Sequence, residues 1–94
     1  MEFADAATSD LFNGLKSKAA SKIPADIHRT SLRKLTVLNV AISLDSLRVP
    51  PGNRLEELRG DRIGQHSIRI NDKYRICFIW TPDGAKQVEI VDYH

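Results

Sequence analysis

The feature that most constrains this chain is a change of hydrophobic period at Pro50-Pro51-Gly52. A helical side chain returns to the same face about every 3.6 residues, a strand side chain every two. Before the break the apolar residues recur at helical spacing, and after it they alternate. A chain that switches period once builds a helical layer first and a sheet second, which predicts an α+β domain of two to three N-terminal helices packed on a small antiparallel sheet.

In the first half, Thr8 or Ser9 is expected to cap a short helix that Gly14 ends, with Leu11, Phe12 and Leu15 as its apolar face. Lys16–Lys22 reads as a solvated connector. Pro24 suits the first position of a second helix, and Asp26 its first turn. Ile27, Leu32, Leu35, Leu38 and Ile42 form its expected buried face, with Arg29, Arg33 and Lys34 elsewhere. A third short helix is expected from Ser43 to Arg48, burying Leu44 and Leu47.

In the second half, Arg54–Leu58 reads as a strand. His66, Ile68 and Ile70 alternate with Ser67 and Arg69, and Asn71-Asp72-Lys73 is a turn. Tyr74, Ile76, Phe78 and Trp80 share one face of the next strand; Arg75, Cys77 and Ile79 share the other. Thr81-Pro82-Asp83-Gly84 turns again, and Val88, Ile90 and Asp92 alternate with Gln87, Glu89 and Val91. The aromatic stripe follows the apolar period, so it reads as core, not as a base-stacking platform.

Length and charge set the remaining bounds. Ninety-four residues make one domain, 1–94. The apolar runs are far short of the ~20 residues that span a bilayer, and the acidic start Met1–Asp5 does not read as a signal peptide. The single Cys77 leaves no internal disulfide and fits a reducing compartment, so a cytoplasmic protein with no membrane partner is expected. The net charge is only +2, with six basic and five acidic residues in 1–47 and eight and seven in 48–94. Bulk electrostatics therefore gives little support for a nucleic-acid partner, and any such role rests on particular arginines. No metal or cofactor is called for: Cys77 has no ligand partner at zinc spacing, and no glycine-rich phosphate motif occurs.

Three places carry groups suited to chemistry. The loop Arg59-Gly60-Asp61-Arg62-Ile63-Gly64 offers cationic heads on a flexible segment, suited to phosphate oxygens, although composition alone favours a tight hairpin loop with solvated charges. The ending Asp92-Tyr93-His94 offers three groups able to transfer or share a proton, or is a frayed polar end. Arg75, mid-strand, needs a partner or solvent. An ion pair with Glu89 or Asp92 and a cation held for a phosphate both remain open. His28 is expected to be exposed, and for His66 a core or rim role stands beside a catalytic one.

The run from Arg48 through Pro50-Pro51-Gly52-Asn53, then Arg54-Leu55-Glu56-Glu57-Leu58-Arg59-Gly60-Asp61-Arg62-Ile63-Gly64 and on to Phe78, resembles the HigB branch of the RelE-like toxins, the plasmid maintenance killer proteins. So does the ending Glu89-Ile90-Val91-Asp92-Tyr93-His94. The resemblance covers roughly residues 11–94. It implies a ribosome-dependent endoribonuclease, an mRNA interferase, that cuts mRNA in the A site. It also implies neutralisation by a HigA-like helix-turn-helix antitoxin, with operator DNA bound only through that complex. By the same resemblance the acting residues are Asp92, Tyr93 and His94, the basic Arg59 before Gly-Asp, and the strand Arg75; beside them, Arg62 and Arg69 are further candidate phosphate ligands. In the expected mechanism the RNA 2′-hydroxyl attacks the adjacent phosphate without a metal. Asp92 or His94 is the base, Glu56 a reserve, His94 the acid, and Tyr93 an orienting group. Some family members place a histidine where this chain has Glu56, and many begin with a longer first strand than Met1-Glu2-Phe3. A catalytically weakened homologue that acts mainly as antitoxin-binding co-repressor is the alternative.

Overall fold

The computed structural model describes residues 1–92. Among them are two α-helices, α1 (Ala6–Phe12) and α2 (His28–Val40). Four strands follow, β1 (Glu56–Glu57), β2 (His66–Arg69), β3 (Tyr74–Thr81) and β4 (Gly84–Asp92), joined antiparallel in the order β1-β2-β3-β4. The α+β architecture matches expectation, with every strand after the Pro50–Gly52 break. None of the described helices is long and apolar enough to cross a membrane.

The cap of α1 is Asp5, not Thr8 or Ser9: Thr8 N–H donates to Asp5 Oδ1 at 2.9 Å. Thr8 lies inside the helix, fully buried, and its Oγ1 accepts from Ile90 N–H at 3.1 Å, fixing α1 to β4. Gly14 takes a left-handed φ of +72° just past the helix end, a conformation glycine adopts without a Cβ penalty. Leu15 lies beyond the helix and is 56% exposed, not part of its buried face.

Pro24 opens a 3-10 turn, Ala25–Ile27, that leads into α2. The buried line of α2 is Ile27, Ser31, Leu35 and Leu38. Leu32 and Ile42 were expected on it, but Leu32 sits one residue, about 100°, off that line. Ile42 follows the helix end, where Ala41 turns extended, and is almost fully exposed. The expected third helix is a single 3-10 turn, Asp45–Arg48, that buries Leu47 completely.

The helices cover one face of the sheet. Leu35, Leu38 and Leu47 pack in one cluster with Ile68, Ile76, Phe78 and Val88. Burial of each such side chain stabilises by about 1.5–3 kcal/mol. The β3–β4 register slips between Cys77 and Ile79, where Gln87 adopts φ +51°. This bulge lets Ala85 and Val88, three apart, both reach the core. The N-terminal segment lies parallel against β4 at the same place. Phe3 bridges to Val88, with Ala4 N–H donating to Val88 O and Val88 N–H to Glu2 O, both at 2.9 Å.

Candidate active site on the second face of the sheet

Strand alternation puts Ser67, Arg69, Arg75, Cys77, Glu89 and Val91 on the face away from the helices. The register sets Glu56, Ser67, Cys77 and Glu89 as successive partners across all four strands. Arg75 is the next residue of β3 on that face, between Arg69 and Val91.

Arg75 is 9% exposed, unusual for a guanidinium. Its Nε donates to Ser67 Oγ at 2.7 Å, and its Nη2 to the Arg54 carbonyl at 2.5 Å. Glu56 Oε2 lies 3.5 Å from the same Nη2. The partner carboxylate among the described contacts is thus Glu56, from β1, where the sequence offered Glu89 or Asp92. Arg54 brings its carbonyl into reach through a left-handed turn, φ +45°, after the Pro51–Asn53 3-10 turn. Asn53, fully buried, holds that turn with Nδ2 donating to the Leu47 and Val49 carbonyls and Oδ1 accepting from Lys34 Nζ. Burial, with Arg33 and Arg69 nearby, lowers the Lys34 pKa from its ordinary value.

Glu89 is engaged by Arg62. Arg62 Nη1 donates to Glu89 Oε1 at 2.8 Å and to Gln65 Oε1 at 3.0 Å, so the Arg59–Gly64 loop folds back over the sheet. Cys77 is fully buried on this face. Burial raises its thiol pKa, and the charges of Arg62, Glu89 and Arg75 reach it.

The remaining candidates spread outward from Arg75. Arg59 is exposed at the loop's start. Arg69, beside Arg75 in register, forms an ion pair with Asp72. Asp92 closes β4 opposite Tyr74, on the alternate side of its strand from Val91, and lies 3.8 Å from Lys73 Nζ. Tyr93 and His94 lie outside the described residues. Arg75 and Glu56 are therefore brought together, and Arg62 is drawn to Glu89.

Ser67, Gln65 and Asn53 were not singled out from sequence. Ser67 carried a weak signal, a small polar residue in strand alternation beside Ile68. His28 is half-buried rather than exposed, its Nε2 donating to the Ile23 carbonyl at 2.7 Å. His66 is half-buried and stacks on Phe78 with ring centroids 6.3 Å apart.

Residues 1–94 match the family model of the HigB-like toxin, described as the RelE-like toxin of the type II toxin–antitoxin system HigB. The chain belongs to this family. It is 43% identical over 72 residues to Toxin HigB-1 of Vibrio cholerae serotype O1, covering 77% of this chain and 75% of that one. It is 36% identical over 58 residues to an uncharacterized protein of Haemophilus influenzae, covering 62% and 57%. A HigB-like toxin belongs with an antitoxin, so the surface of this chain has a protein partner to account for as well as a buried arginine.

Proposed function

We propose that this HigB-like toxin is a ribosome-dependent endoribonuclease that cleaves mRNA in the A site, with a HigA-like antitoxin restraining it. The observation that carries this reading is Arg75, a buried guanidinium held from two sides on the sheet face away from the helices. Cleavage through the 2′-hydroxyl builds negative charge on the phosphorus-bound oxygens, and a cation fixed beforehand stabilises that charge without reorganising. Arg75, with Arg59 and Arg69, would hold the phosphate. Arg62 would join only by leaving Glu89.

The attacking hydroxyl must lose a proton and the departing 5′-oxygen gain one. Asp92, His94 and Glu56 are the groups assigned to these transfers, each worth ~10²–10⁴-fold when well placed. Tyr93 would orient the substrate. Few groups and a modest charge favour a substrate already splayed and held, which is what a ribosome provides.

A second reading is favoured by one contact. Glu56 stands 3.5 Å from Arg75 and offsets part of its charge, as expected of a weakened enzyme retained for antitoxin-dependent repression of operator DNA. Induced expression of the wild-type chain, Arg75→Ala and a chain lacking His94, with mapping of mRNA 5′ ends, separates the two. The nuclease reading expects codon-phased cuts from the wild type alone, on translating ribosomes and far more weakly on free RNA. Equal cutting by all three would refute the site, and no cutting by the wild type would leave the repressor reading standing.

A further inference from the structure

The sheet face that carries Arg75 also carries two carboxylates, at opposite ends of one row. The register runs Glu56, Ser67, Cys77, Glu89 across the four strands. Each carboxylate takes one arginine. Glu56 Oε2 lies 3.5 Å from Arg75 Nη2, and Glu89 Oε1 accepts from Arg62 Nη1 at 2.8 Å. The second pair is the closer, with side chains 33% and 26% exposed. The loop that bears Arg62 is pinned at its base, where Leu58 N–H donates to the Gln65 carbonyl at 2.9 Å. Gly60 and Gly64 flank Arg62 at φ +63° and +90°, so two glycines let it swing while the base stays fixed.

A carboxylate on a face that receives phosphates works against binding, since like charges brought together cost affinity. Carboxylate and phosphate oxygens engage a guanidinium in the same way, so Glu89 occupies on Arg62 the place that a phosphate would take. RNA must separate the pair before Arg62 can contact it. A free strand meets that cost together with the loss of its own conformational freedom. A strand already ordered and delivered at high effective concentration meets the first cost alone.

We propose that Glu89 is a specificity-determining residue: by occupying Arg62 it turns away free single-stranded RNA and leaves the Arg75 face to RNA held in place by the ribosome. A face built for affinity alone has no use for that charge. A face built for selection does, because discrimination is a difference between two affinities. Glu56 makes the same kind of pair with Arg75, but it is a candidate for proton transfer, so Glu89 isolates the effect. The inference rests on the nuclease reading for its substrate, and binding is measured apart from cleavage to keep the two separable.

The test is anisotropy titration of the purified toxin with a labelled 2′-O-methyl RNA strand, which has no free 2′-hydroxyl and cannot be cut, over a range of KCl. Glu89→Gln should bind about tenfold more tightly at low salt, the scale of one hydrogen bond to a charged group. Its plot of log affinity against log salt should steepen by about 0.7, the mark of one added phosphate contact on a single strand. Asp83→Asn, at an exposed turn residue, makes the same change in net charge and should leave the slope alone. The double variant Arg62→Ala/Glu89→Gln should return to the wild-type slope. In cleavage, the rate on free RNA relative to that on ribosomes should rise in Glu89→Gln by the same factor as the affinity. An unmoved slope would overturn the proposal and leave the pair as a tie on the loop. So would an equal gain from Asp83→Asn. A wild type that cuts nothing on ribosomes defeats the nuclease reading instead, and the slope on uncleavable RNA still decides what Glu89 does.

Discussion

Arg75 and Ser67 are joined diagonally across β2 and β3: Arg75 Nε donates to Ser67 Oγ at 2.7 Å, although the partner of Ser67 in the register is Cys77. The guanidinium fork satisfies Ser67 and the Arg54 carbonyl at once, which a lysine ammonium on a flexible stem cannot reproduce. Arg75→Lys keeps the charge and loses the geometry. It should cut mRNA on ribosomes ~10²-fold more slowly, the scale of losing one preorganised donor, and should unfold in urea with about 1–3 kcal/mol less stability because Ser67 is left unpaired. Ser67→Ala should retain more activity than Arg75→Lys, since the arginine remains with one anchor fewer.

Arg59 and Arg62 share a loop and should behave differently. Arg62 is committed to Glu89 and Gln65, with both members of the ion pair about one-third exposed or less. Arg62→Ala should therefore lower stability, by up to about 1 kcal/mol for the pair. Arg59 is exposed, so Arg59→Ala should alter stability by less than about 0.5 kcal/mol and show its effect in RNA affinity. Urea titration and ribosome-programmed cleavage on the same two variants check both halves.

Thr8 ties the helical layer to the sheet. Thr8→Val keeps the shape but leaves the Ile90 N–H without its acceptor in a part-buried site. The expected loss is about 1–3 kcal/mol, a fall of several degrees in Tm for a domain of this size. Thr8→Ser keeps the acceptor and should lose less. A calorimetric scan of the two variants and the wild type gives the ordering.

The layers were legible because Pro50–Gly52 separates two clear periods, and strand alternation alone put Arg75 opposite the aromatic stripe. The errors have local causes. A helical repeat read from apolar residues passes over Ser31, a polar residue at a fully buried position, and chooses Leu32 beside it. Pairing across strands was less legible, because register depends on turns and bulges rather than on composition. Nothing in Gln87 announces φ +51°, and nothing in Glu56 announces that β1 would deliver it to Arg75. Tyr93 and His94 read from sequence as proton-transfer groups or as a frayed end, and only the family resemblance favoured the first, since a polar ending has no period to read.

Cys77 offers a reporter on the loop that folds over this face. Its thiol is fully buried, and burial raises its pKa above the ordinary value. The native chain should react with a disulfide reagent such as DTNB far more slowly than the urea-unfolded chain. Arg62→Ala or Glu89→Gln, by releasing the loop, should speed the native reaction, while a rate unmoved by either would show that the loop does not cover the thiol. The same burial sets a pH dependence. Above the ordinary thiol pKa of ~8.5 the unfolded chain loses the proton while the folded chain keeps it, so the folded state binds more protons and stability falls as pH rises. Below that pH the contribution is fully present. Cys77→Ala removes the group, so the difference in unfolding free energy between wild type and variant should shift against the wild type from pH 7.5 to pH 10, and a constant difference would show that the thiol ionises equally in both states.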